Sequence, residues 1–209
     1  MEFDIELVIS NLKKRRKIFA SEADFQFELA WIIKEIYPSN SVLLEYSPAF
    51  NPKMHIDILV IEKGRWIPIE LKYKTKGCCK IENGTVFNLK NHSAKDVNCY
   101  NYLLDIQRIE QIKSNAEYFN KGYTIFITNE LSYICPPNKK DCVYSAFSLE
   151  NGIIKTGELN WAENTGKGTK KGHEEPIALQ GKYKMIWDCY SKIDDSNSGT
   201  FMYLMNEIR

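Results

Sequence analysis

Three residues carry the chemistry open to this sequence: Asp57, Glu70 and Lys72. All lie in HIDILVIEKGRWIPIELKYK, residues 55–74. Ile56, Ile58 and Val60 form one apolar set with period two, and Ile67, Ile69, Leu71 and Tyr73 form another, the pattern of two paired strands. Lys63-Gly64 is the simplest turn between them, with glycine where positive φ is wanted. Counting back from it, Glu62 pairs with Arg65, Ile61 with Trp66, Ile58 with Ile69 and Asp57 with Glu70. Alternate residues share a side, so Asp57, Glu70 and Lys72 face the same way. Directly opposed Cβ atoms stand about 4.5–5.5 Å apart. Two carboxylates so placed repel unless one takes a proton or a cation lies between them. Lys72 supplies one charge; a hard divalent cation would supply two and accept oxygen ligands readily. The bland alternative is a ladder of charges on the wet face of a sheet. The Glu-x-Lys triplet alone is weak, because 18 Glu and 23 Lys give about two by chance in a chain of this length. The register-matched aspartate supplies the weight. Pro68 threatens the register: it removes a backbone donor inside the second strand, and predicts a bulge or a one-residue slip.

The elements that must position these residues are legible on either side. Ser21-Glu22-Ala23-Asp24 fits a capping box. Phe25, Leu29, Ile32, Ile33 and Ile36 then recur at helical spacing until Pro38. Val42 to Ser47 reads as a short strand before the hairpin. A polar, lysine-rich loop follows to about Ala94. Cys99, Leu103, Ile106, Ile109, Ile112, Ala116 and Phe119 mark the buried face of a long helix, stopped by Gly122. GYTIFITN reads as a buried strand. A hairpin followed by a strand–helix–strand crossover predicts an α/β fold with a mixed central sheet flanked by helices. Beyond residue 130 the reading is a β-rich extension, with a hairpin around Asn151-Gly152 and strands in IALQGKYKMIWDCY and TFMYLMNEI. One domain over 1–209 is expected, its core about 21–129. GKGTKK lacks the spacing of a phosphate loop.

Asp57 followed by Glu70-Leu71-Lys72 on the next strand resembles the PD-(D/E)XK nuclease superfamily, whose fold is the restriction-endonuclease-like core. The order helix, strand, hairpin, helix, strand is similar to that core over roughly Ser21 to Asn129. SEADFQ, IELKYK and YNYLLDIQRIE also look like small microbial proteins of that group. Ile56 stands where many members have proline. The resemblance implies a phosphodiester hydrolase, most simply a DNA endonuclease, with Asp57, Glu70 and the Leu71 carbonyl holding Mg²⁺, Mn²⁺ able to substitute. Lys72 would hold or help deprotonate the attacking water and stabilise the charge developing on phosphorus. Glu22 is the candidate extra acid from the first helix, unless it merely favours the helix dipole; Glu45 is the reserve. On the long helix, Asn101, Asp105 and Arg108 share a face. Asp105 and Arg108 read as a surface ion pair or, more sharply, Arg108 or Gln107 meets a substrate phosphate. Lys74 joins them as a substrate contact.

Bulk properties bound the rest. Net charge is +1, so any case for a nucleic-acid partner rests on local clusters: residues 13–17, Lys72 with Lys74, Lys76 and Lys80, and Lys167 with Lys170 and Lys171. The six cysteines contain no Cys-x-x-Cys pair and the three histidines are scattered, which argues against zinc and for reduced thiols. No apolar run approaches the roughly 18 residues of a membrane span, and the N-terminus is acidic before it is basic, the reverse of a secretory signal. A cytoplasmic protein that binds nucleic acid, DNA favoured, is expected, its oligomeric state open and a homodimer included. Two other readings stand beside it: a catalytically inactive binding module of the same fold, gripping nucleic acid or protein, and a metabolic α/β enzyme acting on a small phosphorylated ligand.

Overall fold

The computed structural model describes residues 2–137 and 142–209. Its elements, in chain order, are α1 (Ile5–Arg15), α2 (Glu22–Ile36), β1 (Ser41–Tyr46), β2 (Ile56–Glu62), β3 (Arg65–Lys74), β4 (Cys78–Glu82), β5 (Thr85–Leu89), α3 (Lys95–Asn115), β6 (Gly122–Thr128), β7 (Ile154–Leu159), α4 (Lys167–Lys170), β8 (Ile177–Lys184), β9 (Trp187–Lys192) and β10 (Thr200–Ile208). The expected α/β class with a mixed sheet is present. Six strands run in the order β1-β2-β3-β6-β10-β9, with β3 and β6 parallel and every other neighbouring pair antiparallel. The C-terminal strands β9 and β10 therefore complete the central sheet. Hairpin β4–β5 and the pair β7–β8 form two small separate sheets.

The sheet has two apolar faces. One packs Ile58, Ile69, Leu71 and Ile125 against α1 and α2 through Val8, Leu12, Phe25 and Leu29. The other packs Leu59, Phe126 and Leu204 against α3 and the β7–β8 pair through Leu103, Ile106, Ile177 and Leu179. Among the described residues, no helix is long and apolar enough to cross a membrane.

The hairpin at the heart of the molecule forms as counted from Glu62–Arg65 to Ile58–Ile69, but the expected Asp57–Glu70 pair lies beyond the end of the ladder. Lys63 and Gly64 both take positive φ, 49° and 79°, the combination that a two-residue turn matched to strand twist requires. Glu62 pairs with Arg65, Ile61 with Trp66, Leu59 with Pro68 and Ile58 with Ile69, without a slip. Neither the bulge nor the slip predicted from Pro68 occurs. The N–H groups of Leu71 and Tyr73 point away from β6, so the even-numbered positions of β3 donate toward β6. Pairing with β6 begins only at Ile69 and Tyr123. The missing donor of Pro68 thus falls in the gap between the Trp66–Phe119 bridge and the first pair with β6.

Four local expectations are corrected. The long helix ends at Asn115, not near Gly122. Gly122 instead opens β6, where a Cβ would overlap Ile109 Cγ2 and crowd Pro68. The lysine-rich loop is a hairpin, β4–β5, turned by Asn83-Gly84 with φ 49° and 76°. No hairpin forms around Asn151-Gly152: residues 145–147 make a 3-10 turn, and β7 pairs with β8. Residues 5–15, given no element from sequence, form α1, capped by the Asp4 carboxylate.

Candidate functional site

The ladder between β2 and β3 ends at Ile58–Ile69, and from there β3, still paired with β6 on its other edge, has no strand on this one. From there the edge of β3 offers backbone N–H groups at every second residue with no strand to receive them. Side chains take them in turn. The Leu71 N–H donates to Asp57 Oδ2 at 2.6 Å, that of Tyr73 to Glu22 Oε2 at 2.7 Å, and that of Thr75 to His92 Nδ1 at 3.0 Å. N–H and C=O of one strand residue point to the same edge. The Leu71 carbonyl therefore faces this notch, and Lys72 Nζ donates to it at 3.2 Å.

The notch draws in one residue from each neighbouring element. Glu22 opens α2 after the Ser21 cap, whose hydroxyl accepts the Asp24 N–H. Glu22 Oε2 also accepts from Lys74 Nζ at 2.8 Å. One turn along α2, Gln26 donates to Glu45 Oε1 and to the Asp57 carbonyl, both at 2.7 Å. Glu45 is held at φ 52°, a left-handed conformation that an ordinary residue adopts only under constraint. It interrupts the β1–β2 pairing between Leu44–Ile58 and Tyr46–Ile56.

Glu70 and Lys72 point to the other side, toward α3. Lys72 is ion-paired with Asp105, and Arg108 reaches both Asp105 Oδ1 at 3.2 Å and Glu70 Oε1 at 3.3 Å. Arg108 also donates to the His55 carbonyl. The expected surface pair of Asp105 and Arg108 is therefore an interior one: Asp105 is 3% exposed and Glu70 1%. The Arg108 contact to Glu70 lacks hydrogen-bond geometry, so neither Glu70 oxygen receives a hydrogen bond.

Three carboxylates, Asp57, Glu70 and Asp105, thus meet two cations, Lys72 and Arg108, with one negative charge in excess. Burial and that excess set the protonation of each. Desolvation pushes Asp57 up to about 6, against the pull of Lys72 and of the Leu71 N–H. Desolvation, then the charges of Asp105 and Asp57, drive Glu70 well above the usual carboxylate range. Burial alone would lower Lys72, but its pairing with Asp105 and the charges of Asp57 and Glu70 outweigh it, and its pKa is raised. The same balance raises Arg108.

An open cleft of about 510 Å³ leads to the cluster from solvent, lined by Asn51, Lys53, His55, Asp57, Arg108 and Gln111 among others. Two larger clefts, of about 540 and 670 Å³, border α1 and hold none of these residues; the chemistry places the site at the smaller one.

Of the residues read from sequence, Asp57, Glu70, Leu71 and Lys72 are brought together, with Glu22 and Lys74 at the same edge and Arg108 closing the far side. Gln107 is not brought in: it stands two residues from Asp105 on the helix, a spacing that does not share a face, and hydrogen-bonds to none of them. Much of the first two basic clusters is spent internally, whereas Lys167 and Lys171 stay exposed. Arg15, Arg16 and Lys17 pair with Glu35, Asp24, Glu28 and Glu82. Lys80 is buried and bonds Asp194 and Ser196. Lys76 stays exposed. Asp105, on the expected face of the helix, joins the site, and so do Gln26 and His92, for which the sequence pattern carries no signal.

The residues fit a bound divalent cation in one respect: a buried carboxylate with no donor on either oxygen needs positive charge nearby. As placed, however, among the described residues no three of His, Cys, Asp and Glu stand grouped as a finished metal cage. The protein's own cations and backbone donors hold the acids instead. No family model matches the chain, and no solved structure matches it significantly.

Proposed function

We propose that this protein is a metal-dependent phosphodiester hydrolase with a restriction-endonuclease-like core, acting on nucleic acid, DNA by preference, and related to the PD-(D/E)XK nucleases. One observation carries the reading. Asp57 and Glu70 lie beside the Leu71 carbonyl and Lys72 in a buried cluster short of one positive charge, at the point where two strands part and open to solvent. A structural charge network gains nothing from such a shortage; a cation site does.

Asp57, Glu70 and the Leu71 carbonyl would hold Mg²⁺ or Mn²⁺, with Glu22 nearby as a further acid. Bound there, the ion would supply Lewis acidity and a water of lowered pKa. The remaining work falls to the protein. Lys72 stays charged beside Asp105, which suits it to stabilising developing phosphoryl charge more than to removing a proton. Arg108 lies 3.3 Å from Glu70 without a hydrogen bond in the free protein and is the residue placed to turn toward substrate once that carboxylate is otherwise engaged. Gln26 holds the Asp57 backbone to α2, fixing the strand end that carries the acid.

The test is a panel of labelled single-stranded, duplex, branched and RNA substrates with Mg²⁺ or Mn²⁺, alongside calorimetric Mn²⁺ titration of wild type and Asp57→Ala. Cleavage and metal binding by wild type alone are expected. Absence of Mn²⁺ binding at any concentration would sink the proposal. It would favour the inactive binding module, for which the internal pairing of Lys72, Lys74 and Arg108 already speaks.

A further inference from the structure

We propose that His92 binds a second phosphate of a polynucleotide strand laid along the open edge of β3, beyond the acidic notch; this rests on the phosphodiesterase reading above. His92 is the third of the side chains that receive the edge donors of β3, after Asp57 and Glu22. Successive donors on one edge of a strand repeat about every 6.6 Å, a step of the same order as that between neighbouring phosphates of an extended nucleic-acid strand. The Leu71 and Thr75 donors lie two such steps apart, about 13 Å, so a chain with one phosphate at Asp57 carries its next but one to His92, passing the Glu22–Lys74 pair.

The imidazole is fixed for that task. Its Nδ1 accepts the Thr75 N–H at 3.0 Å. The Thr75 hydroxyl lies 3.2 Å from the same nitrogen but gives its proton to the Lys90 carbonyl at 2.7 Å. Nδ1 is thus an acceptor, and in the neutral ring the hydrogen must sit on Nε2. The His92 N–H in turn donates to the Thr75 carbonyl at 2.8 Å, so residue 92 is held to β3 from both its backbone and its ring. His92 is exposed, leaving Nε2–H as a preorganised donor. Burial against the strand and the charges of Lys74 and Lys90 lower the pKa of the ring, against the opposing pull of the Thr75 backbone and of Glu22. The same lysines attract a phosphate.

The two roles of the ring separate by substitution. The amide of His92→Asn can still accept the Thr75 N–H but has no group at the Nε2 position. His92→Gln reaches the Nε2 position and gives up the cap. Binding of a short labelled oligothymidylate is measured in EDTA, where no turnover occurs, together with the nitrogen-detected resonance of His92 Nε2–H. Wild type is expected to bind with that resonance shifted. His92→Asn should raise Kd about tenfold, the loss of roughly one charge-assisted hydrogen bond, and His92→Gln should recover part of it. Wild-type affinity in His92→Asn, an unshifted Nε2–H while the oligomer binds, or no oligomer binding at all overturns the assignment. The same samples are then assayed with Mg²⁺ and Mn²⁺. His92-dependent binding without cleavage would sink the nuclease reading and leave this subsite standing.

Discussion

Replacing Asp57 by Asn should change the pH dependence of stability more than stability itself. The Asp57 carboxyl ordinarily titrates near 3.8 and is pushed up to about 6 by its burial. The folded protein therefore holds this proton more tightly than the unfolded chain does. For an acid shifted upward, the contribution to stability is fully present below the unfolded pKa and is lost as pH rises through the folded one. The window runs from about pH 4 to slightly above 6. A shift of this size corresponds to about 3 kcal/mol at most; solvent at this partly exposed side chain lowers that toward about 2 kcal/mol. Asn keeps an oxygen for the Leu71 N–H but has no proton to lose. Urea unfolding in EDTA at pH 4.5 and 7.5, with wild type and Asp57→Asn side by side, reads the effect directly. Because pH 4.5 already lies above the unfolded pKa, the variant should gain about 1.5–2 kcal/mol on wild type between the two pH values. Saturating Mn²⁺ at pH 7.5 should restore wild type alone, by about 1.4 kcal/mol for each tenfold excess over Kd. A difference between the proteins that does not vary with pH would refute the claim that Asp57 belongs to an overcharged cluster.

Three further outcomes follow from the same packing. Lys72→Ala should abolish cleavage and also destabilise by about 3 kcal/mol, because it deprives buried Asp105 of a partner; Lys72→Ala with Asp105→Asn should fold nearly as well as wild type yet remain inactive, read by denaturation and substrate assay together. Gly122→Ala should lower stability by about 1–3 kcal/mol, since its methyl group would overlap Ile109, and a melting temperature checks it. Glu110→Gln should loosen β8, because the carboxylate accepts from the N–H groups of Gln180 and Gly181 and from the Tyr183 hydroxyl; faster hydrogen exchange confined to residues 177–184 would show it, and unchanged exchange there would contradict it.

The hairpin was legible because its turn and its two strands are local. Lys63-Gly64 sets the register by counting, and counting needs no tertiary knowledge. Asn-Gly alone is a weaker guide. Lysine and cysteine mask the alternation of CCKIE and TVFNL around Asn83-Gly84, where a hairpin forms; SAFSL before Asn151-Gly152 does not alternate, and no hairpin forms there. The position of His92 depends on the chain returning from β4–β5 to Thr75, which spacing in the sequence does not signal. The burial of α3 was hidden for a different reason. Asp105 and Glu110 are polar residues on faces covered by the sheet and by β8, and a helix buried on more than one side shows little amphipathic pattern. From spacing alone, Asp105 and Arg108 look like a surface pair; only the sheet beneath them turns the pair into part of the site.

That buried charge set yields one more outcome, which weighs function against structure. A buried ion pair is seldom worth more than well-packed apolar residues of the same volume, and its replacement often gains about 1–4 kcal/mol. Glu70 with Arg108 is a poor pair even by that standard, since the contact of 3.3 Å lacks hydrogen-bond geometry and Glu70 has no other donor. Asp105 would keep Lys72 if Arg108 were removed. The double variant Glu70→Leu, Arg108→Met should therefore be at least as stable as wild type in EDTA at pH 7.5, while neither binding Mn²⁺ nor cutting any substrate. A loss of more than about 2 kcal/mol in that variant would mean that the two charges hold the fold together, and the strongest reason for reading them as a site would be gone. A gain in stability joined to loss of metal binding is the signature of residues retained against the interest of the fold, as functional sites are.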